Sequence, residues 1–143
     1  MNTKQLGNLT ELQCITRLYE LGCSVSIPFG NSDKYDVVID VNDKLYKVQI
    51  KHSTEYCDTN GEPEYIKFKC RWQGHNSQGY SQNLYKANEV DLFATFYKEE
   101  CYLVPQFECT NEKILRIKPP KNNQKKGISF LKNYQAQEVL KQL

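Results

Sequence analysis

Several features that would define other classes of protein are missing from this sequence. No apolar run approaches the roughly 20 residues that a membrane-spanning helix needs, so we expect no membrane partner. We expect no signal peptide, and the sequence has no CxxC pair. These absences predict a protein of a reducing compartment, either the cytoplasm or the nucleoid.

Cysteine is not scarce, but the pattern does not require disulfides. The chain has 143 residues, 39% of them hydrophobic, and a chain of this length can build a core without covalent links. We therefore interpret residues 1–143 as a single domain and the cysteines as thiols. The six cysteines are Cys14, Cys23, Cys57, Cys70, Cys101 and Cys109.

The net charge of +2 is low for a DNA-binding protein, but the charge is unevenly distributed. Residues 113–143 contain eight Lys or Arg and one acid, whereas residues 1–112 contain 11 bases and 16 acids. A basic segment beside an acidic remainder suits a protein that holds phosphates around a metal site. Because basic segments are also common on ordinary solvated surfaces, this asymmetry is only supporting evidence.

The most informative stretch is YDVVIDVNDKLYKVQIKH, residues 35–52, which predicts a β-hairpin. Two runs rich in β-branched residues flank a central Asn-Asp turn signal. Side chains alternate along a strand, so Gln49 and Lys51 share one side of the second strand. Antiparallel pairing then places Asp36 opposite the end of that strand, near both residues.

An acid, an amide and a lysine at the end of an apolar hairpin lose hydration that only partners or a metal can restore. Mg²⁺ prefers oxygen ligands, so the Asp36 carboxylate and the Gln49 amide oxygen suit it. Lys51 beside the ion could orient or deprotonate a water, or stabilise charge on a phosphate. The alternative is an ordinary hairpin whose polar end faces solvent.

An N-terminal helix is predicted from a cap at residues 2–3 to about Leu21. Glu11 lies at the margin of its apolar stripe and can lean toward Asp36, although a solvated helix carboxylate is the simpler alternative. The stripe expected to face the sheet consists of Leu9, Leu12, Ile15, Leu18 and Leu21.

The order Asp36, strand, turn and then Gln49-Ile50-Lys51 resembles the catalytic core of the PD-(D/E)XK nuclease superfamily. That core pairs an Asp with an (Asp/Glu)-x-Lys tripeptide, and Gln49 stands where most members have an acid. The Gln variant, together with Glu11 in a preceding helix, is similar to the cyanobacterial group I intron homing endonucleases of the superfamily. The likeness covers nearly the whole chain.

The resemblance implies an α/β fold with a restriction-endonuclease-like core, in which helices flank a central mixed β-sheet. It also implies Mg²⁺-dependent hydrolysis of phosphodiester bonds in double-stranded DNA, with Mn²⁺ able to substitute. Asp36, Gln49 and Glu11 would hold the metal, and Lys51 would activate the water. Because one small domain has one active site, cutting both strands implies a homo-oligomer, either a dimer or a tetramer.

Two other functions stay open. Holliday-junction resolvases and restriction enzymes of the same superfamily perform the same chemistry on different substrates. The chain could instead be a non-catalytic DNA-binding module that keeps the fold. A long, specific cleavage site would separate homing from resolution, and binding without cleavage would indicate a module.

Two segments are predicted to contact DNA: a β-ribbon with its loop over about 65–82, and the basic segment 113–143. A strand over 65–72 would alternate a packed face with a basic face, which suits a ribbon laid against DNA. An edge strand protected by lysines is the alternative. The predicted DNA-contacting residues are Lys67, Lys69, Arg71, His75, Asn76, Gln78, Lys121, Lys125 and Lys126.

A structural zinc site is a weaker possibility. The candidate ligands His52, Cys57, Cys70 and His75 are spaced as His-x4-Cys-x12-Cys-x4-His. This spacing matches no common zinc finger, and Cys70 falls on the apolar face of the predicted strand. Cys70 is therefore interpreted as a core residue.

Later elements complete the predicted fold. Strands over 91–97 and 101–105 are expected to finish the central sheet around a turn at 98–100. A last helix is predicted from a cap at Ser129 to about Leu143, with a narrow apolar stripe that could pack on the domain or on another subunit.

Overall fold

The computed structural model describes residues 1–30, 33–76, 79–124 and 126–143, with the backbone alone for 72–76 and 79–83. Its helices are α1 (Thr3–Glu20) and α2 (Ala136–Leu140), with 3-10 helices at Gln106–Glu108 and Leu131–Tyr134. Its strands are β1 (Ser24–Ser26), β2 (Val37–Val41), β3 (Lys44–Ile50), β4 (Thr54–Cys57), β5 (Pro63–Lys69), β6 (Arg71–Asn76), β7 (Gly79–Leu84), β8 (Leu92–Tyr97), β9 (Glu100–Pro105) and β10 (Glu112–Arg116).

Helix α1 begins with a reciprocal cap. The Asn2 side chain accepts a hydrogen bond from the Gln5 N–H, and the Gln5 side chain accepts one from the Asn2 N–H, each at 2.9 Å. The helix ends at Glu20, followed by Gly22 with a φ of +95°, a conformation that favours glycine. The predicted bounds of this helix are confirmed.

The apolar stripe predicted for α1 is wrong in part. Leu12 is 63% exposed, whereas Thr10, Cys14 and Leu18 are buried at i, i+4 and i+8. The small side chains of Thr10 and Cys14 let the helix lie close to the sheet, so the buried face is rotated toward them. Glu11 consequently lies directly beside the buried face.

The central sheet has the strand order β1-β2-β3-β8-β9. β3 and β8 are parallel, with Ile50 opposite Ala94, and the other three neighbouring pairs are antiparallel. The predicted mixed sheet and its hairpin are confirmed. Asn42 and Asp43 join β2 to β3 with φ values of 53° and 65°, as a two-residue hairpin turn of right-handed twist requires.

The two faces of the central sheet have different covers. On one face α1 and α2 pack on the sheet through a cluster that includes Leu18, Val48 and Val139. On the other face lies a three-stranded sheet of order β10-β5-β4, and the rings of Phe68 and Phe93 meet at 6.1 Å between the two sheets. Burial of these two clusters is the main source of stability.

The single strand predicted over 65–72 is divided in two. β5 ends at Lys69 and pairs with β10, whereas β6 begins at Arg71 and forms a separate hairpin with β7. Between them the Cys70 N–H donates to the Asn111 carbonyl at 2.9 Å, which extends the β5–β10 register by one residue before β6 leaves to pair with β7. Arg71 therefore does not continue the basic face of Lys67 and Lys69.

The helix predicted over 129–143 is wrong. A 3-10 helix at Leu131–Tyr134 and the short α2 take its place. Phe130 and Gln135 have extended backbone and form β-bridges with β10 and β9, respectively. These bridges satisfy the backbone outside a helix, so a continuous helix cannot form across them.

The described residues also answer the expectations about membrane helices and cysteines. None of the helices there combines the length and apolar character needed to cross a membrane. All six cysteines are free, and five of them are buried. Cys70 is one of the buried thiols, as expected from its place on the apolar face of β5 and its continuation.

A buried hydroxyl on β8 allows a stability test. Thr95 is fully buried, and its Oγ1 has no hydrogen-bond partner among the residues that the structure describes. Thr95→Val removes this unpaired hydroxyl and keeps the branched shape, so we expect a gain of about 1 kcal/mol in the free energy of unfolding. Urea unfolding followed by circular dichroism measures the difference.

The matched control is Thr10→Val. Thr10 is also buried, but its hydroxyl contacts the Leu6 carbonyl and His52 Nδ1, each at 2.9 Å. Loss of these contacts should lower the free energy of unfolding by about 1 kcal/mol. If Thr95→Val destabilised the protein as Thr10→Val does, the Thr95 hydroxyl would have to be paired in solution.

Candidate active site

The site is built at the open end of the β2–β3 hairpin. Asp36 immediately precedes β2, and its N–H donates to the Val48 carbonyl at 2.9 Å. Its Oδ2 accepts a hydrogen bond from the Ile50 N–H at 2.7 Å. The carboxylate is thereby fixed across the end of β3, where the sequence predicts it to meet Gln49 and Lys51.

Gln49 and Lys51 alternate with core residues along β3. Val48 and Ile50 are buried under the helices, so the two half-buried polar side chains leave the strand on its other side. The Gln49 side-chain amide stays beside the strand end, 3.5 Å from the Ile50 carbonyl. An amide and an ammonium are thus held next to the fixed carboxylate.

Lys51 is held at both its backbone and its amine. Its N–H donates to the Ala94 carbonyl at 2.8 Å, and its Nζ donates to the Arg71 carbonyl at 3.0 Å. The amine also lies 5.4 Å from the ring centroid of Tyr85, within the range of a cation–π interaction. Burial lowers the pKa of Lys51, and the charges of Asp36 and Cys70 oppose that shift.

Glu11 reaches the same place from α1. Burial raises the pKa of the Glu11 carboxyl, and the nearby charge of Asp36 raises it further. Burial also raises the pKa of Asp36, against the opposing effects of the Ile50 N–H and Lys51. Both carboxylates line a cleft of about 220 Å³, whose other walls are Ile27, Pro28, Gly30, Asp33 and Tyr35.

The oxygen donors at this cleft and at the adjoining end of β3 fit a hard divalent cation. Glu11 and Asp36 supply carboxylate oxygens and Gln49 an amide oxygen, the ligand types that Mg²⁺ accepts together with waters. Burial is the main cause of the raised pKa values of the two carboxyls, and Lys51 offsets the shift of Asp36 only in part, so a bound cation would stabilise their charged forms. Within the described ranges, no group of three or more His, Cys, Asp or Glu side chains is arranged to hold a metal ion.

Three contacts at the site cannot be read from the sequence. Tyr85 and the Arg71 carbonyl hold the Lys51 amine from segments 34 and 20 residues further along the chain. The third contact is between Thr10, which precedes Glu11, and His52, which follows Lys51. Thr10 Oγ1 lies 2.9 Å from His52 Nδ1. Adjacency to Glu11 and Lys51 is the only sequence signal for that pair.

Those predicted DNA-contacting residues whose side chains the structure describes do not line the cleft. Lys67 forms an ion pair with Glu112 at 3.4 Å, and Lys69 is exposed. Arg71 donates from its guanidinium to Asn111 Oδ1, so it is not a free member of a basic face.

The remaining predicted contacts are only partly described. Lys121 and Lys126 are exposed. His75 and Asn76 lie in β6 as predicted for a ribbon, but their side chains fall outside the described part of the chain, as do Gln78 and Lys125 entirely.

The arrangement of acid, amide and lysine on a hairpin beside a Glu-bearing helix defines the class of protein. The sequence model of the PD-(D/E)XK endonuclease family matches residues 1–137, so the chain belongs to that family. The resemblance found in the hairpin motif is confirmed.

A solved structure extends the comparison to the fold. The bacterial homing endonuclease I-Ssp6803I is similar over 99% of this chain and 95% of its own, with a TM-score of 0.74 and 23% sequence identity. At that identity the likeness establishes the shared fold. No curated protein sequence matches the chain.

Burial of the Asp36 carboxylate has a consequence for stability. Because its pKa is raised on folding, the folded state loses stability as the pH rises through that pKa. Asp36→Asn removes the charge and can keep the hydrogen bond to Ile50, so we expect the variant to be more stable than the wild type near pH 7. The advantage should shrink as the pH falls and vanish below about pH 3, where the carboxyl is protonated in both states.

Urea unfolding in EDTA across this pH range measures the advantage. Asp40→Asn is the matched control, because Asp40 lies toward the other end of β2 and outside the cleft. It should show no comparable pH-dependent gain. A wild type at least as stable as Asp36→Asn at every pH would contradict the unfavourable burial of this carboxylate.

Proposed function

We propose that this protein is a site-specific homing endonuclease, encoded in a group I intron, that makes Mg²⁺-dependent double-strand breaks in DNA. The observation that carries the proposal is that Glu11 and Asp36 line one cleft, while Asp36 is fixed at the end of β3 beside Gln49 and Lys51. Two acids, an amide and a partly desolvated amine suit phosphodiester hydrolysis. Family membership and the shared fold support the same reaction.

In this proposal Asp36 is the direct metal ligand, Gln49 is a weaker ligand and Glu11 completes the shell of the cation. Bound Mg²⁺, or Mn²⁺ in its place, would supply stabilisation of the charge that develops on the scissile phosphate. The hydrogen bond from Ile50 presets the orientation of the Asp36 carboxylate. Gln49 brings one negative charge fewer than the acid of the family motif, so more of the metal affinity must come from the substrate phosphate.

Lys51 is the proposed proton-transfer and charge-stabilising group. Burial lowers its pKa, which increases the fraction of neutral amine that can accept a proton from the attacking water. When protonated, the amine can donate to a phosphate oxygen. The Arg71 carbonyl and the Tyr85 ring restrict where this amine can be, so these two contacts orient it.

DNA contact is assigned to the ribbon of 65–82 and the basic segment 113–143. The β6–β7 hairpin adjoins the site, because β6 begins at the residue whose carbonyl holds Lys51, and Lys67 and Lys69 lie on the preceding strand β5. His75, Asn76 and Gln78 in this ribbon are proposed base contacts. In the basic segment, Lys121, Lys125 and Lys126 are proposed phosphate contacts.

Lys118 is a different case from its basic neighbours. Its Nζ lies 2.9 Å from Asp58 Oδ2 and also pairs with Glu62. This network fixes the β4–β5 turn, so we assign Lys118 to the fold.

A single domain with one cleft can cut one strand, and we therefore propose a homo-oligomer, a dimer or a tetramer, on double-stranded DNA.

The first test is cleavage of fragmented genomic DNA and a randomised library in Mg²⁺, with the ends sequenced. Wild type should give discrete double-strand ends at one long site, and Lys51→Ala should lose them by at least about a thousandfold. Lys44→Ala, at the turn of the same hairpin, should cut normally because it lies outside the cleft.

Three other outcomes would each change the conclusion. Cutting by Lys51→Ala at the wild-type rate would remove Lys51 from catalysis. Preference for branched DNA would favour a junction resolvase. Binding without cleavage by any of the proteins would indicate a DNA-binding module.

The role of Gln49 is tested by restoring the acid. Gln49→Glu adds a negative charge to the ligand set, so Mg²⁺ or Mn²⁺ should bind about tenfold more tightly in the absence of DNA, equivalent to ~1.4 kcal/mol. Isothermal titration calorimetry measures the change. Asp40→Glu, a carboxylate change on β2 outside the cleft, should leave metal affinity as it is. Unchanged affinity in Gln49→Glu would exclude Gln49 from contact with the metal.

A further inference from the structure

The rim of the cleft carries an apolar feature that the chemistry does not use. Phe29 is fully exposed and Ile27 is 66% exposed, although both lie in the short connection between β1 and Asp36. Single exposed apolar side chains are common on protein surfaces, but neighbouring ones beside a cleft form the kind of apolar patch that marks an interaction site. Two of them within three residues therefore indicate a contact surface.

This surface belongs to the cleft by position. Ile27, Pro28 and Gly30 line the cleft together with Asp36 and Glu11, so Phe29 is bracketed on both sides by lining residues. The backbone there is constrained, because proline fixes φ at Pro28 and Gly30 has a φ of +100°, a conformation that other residues rarely adopt. The loop thus presents the ring rather than packing it.

The surroundings favour a nucleic-acid base as the partner of this ring. Three carboxylates, those of Glu11, Asp33 and Asp36, line the same cleft. They repel a phosphate backbone except where a cation intervenes, but they do not repel the faces of bases or sugars. A ring bracketed by lining residues of the cleft would meet the nucleotides that flank a phosphate bound there.

We propose that Phe29, supported by Ile27, is an apolar wedge that inserts against the bases flanking the scissile phosphate and unstacks them. Apolar side chains that enter a base step in this way kink the duplex and open it to the protein. The proposal rests on the proposed endonuclease function and adds a specific substrate contact to it. Its consequence is that base unstacking accompanies binding next to the cut.

The test uses the cleavage site once it is known, in duplexes with 2-aminopurine at successive positions and in Ca²⁺ to prevent hydrolysis. Wild type should raise the fluorescence several-fold at one or two positions beside the scissile phosphate. Phe29→Ala should abolish that rise and weaken binding about tenfold, whereas Phe29→Trp should retain both. Phe107→Ala is the matched control, since Phe107 is an 83% exposed ring outside the cleft lining, and it should behave as wild type.

The outcomes separate this proposal from the endonuclease function. Equal fluorescence and affinity in wild type and Phe29→Ala, with the site still cut, would overturn the wedge and leave the nuclease intact. Absence of any cleavage by wild type would instead contradict the proposed function, and anisotropy with a mixed-sequence duplex would still test whether Phe29 contacts DNA. A change in sedimentation of Phe29→Ala without a loss of DNA affinity would overturn the wedge in favour of contact with a second copy.

Discussion

The hydrogen bond from the Ile50 N–H to Asp36 Oδ2 joins the two ends of the hairpin, and the site depends on it. It is made just beyond the last paired residues of β2, where Val37 lies opposite Val48. Side chains on β3 alternate between the core and the cleft, so a slip of one residue would bury Gln49 and expose Val48. The same bond therefore orients the carboxylate and fixes which side chains reach it.

Placing these charged side chains in a partly buried site lowers the stability of the fold. Burial raises the pKa of Asp36 and Glu11 and lowers that of Lys51, so each charged form is less favourable here than in water. The rest of the structure must offset this cost. It does so with two hydrophobic clusters on the two faces of the central sheet, and Ile50 and Tyr85 belong both to these clusters and to the site. Enzymes commonly lose some stability because their active sites hold groups in unfavourable surroundings.

The sequence predicts the hairpin and its site well because the signals are local. Alternation along β3 and the Asn-Asp turn are read from neighbouring residues, and they place Gln49 and Lys51 on one side without any tertiary information. The register then follows from the turn, which brings Asp36 to the far end. Family resemblance supplies the place of Glu11, which the helix pattern alone leaves at the margin of a stripe.

The errors arise where tertiary contacts override the local pattern. The stripe predicted for α1 consists of its large apolar residues, but the helix packs on the sheet through the smaller Thr10 and Cys14 together with Leu18. The strand over 65–72 alternates as expected, yet its last two residues leave β5 and pair with β7. The last helix fails because Gln135 pairs with β9. None of these partners is near in sequence, so no periodicity could reveal them.

Arg71, a predicted DNA contact, also has contacts within the fold that its place in the sequence does not reveal. Its charge suggests DNA contact, but its guanidinium is held by Asn111 and its carbonyl holds the Lys51 amine. It is also the first residue of β6, so the hairpin that we assign to DNA begins at an atom that fixes the proposed catalytic amine. The Tyr85 ring, just beyond the end of β7, contacts the same amine. Both ends of the hairpin therefore meet at Lys51, and displacement of the hairpin would displace the groups that hold the amine.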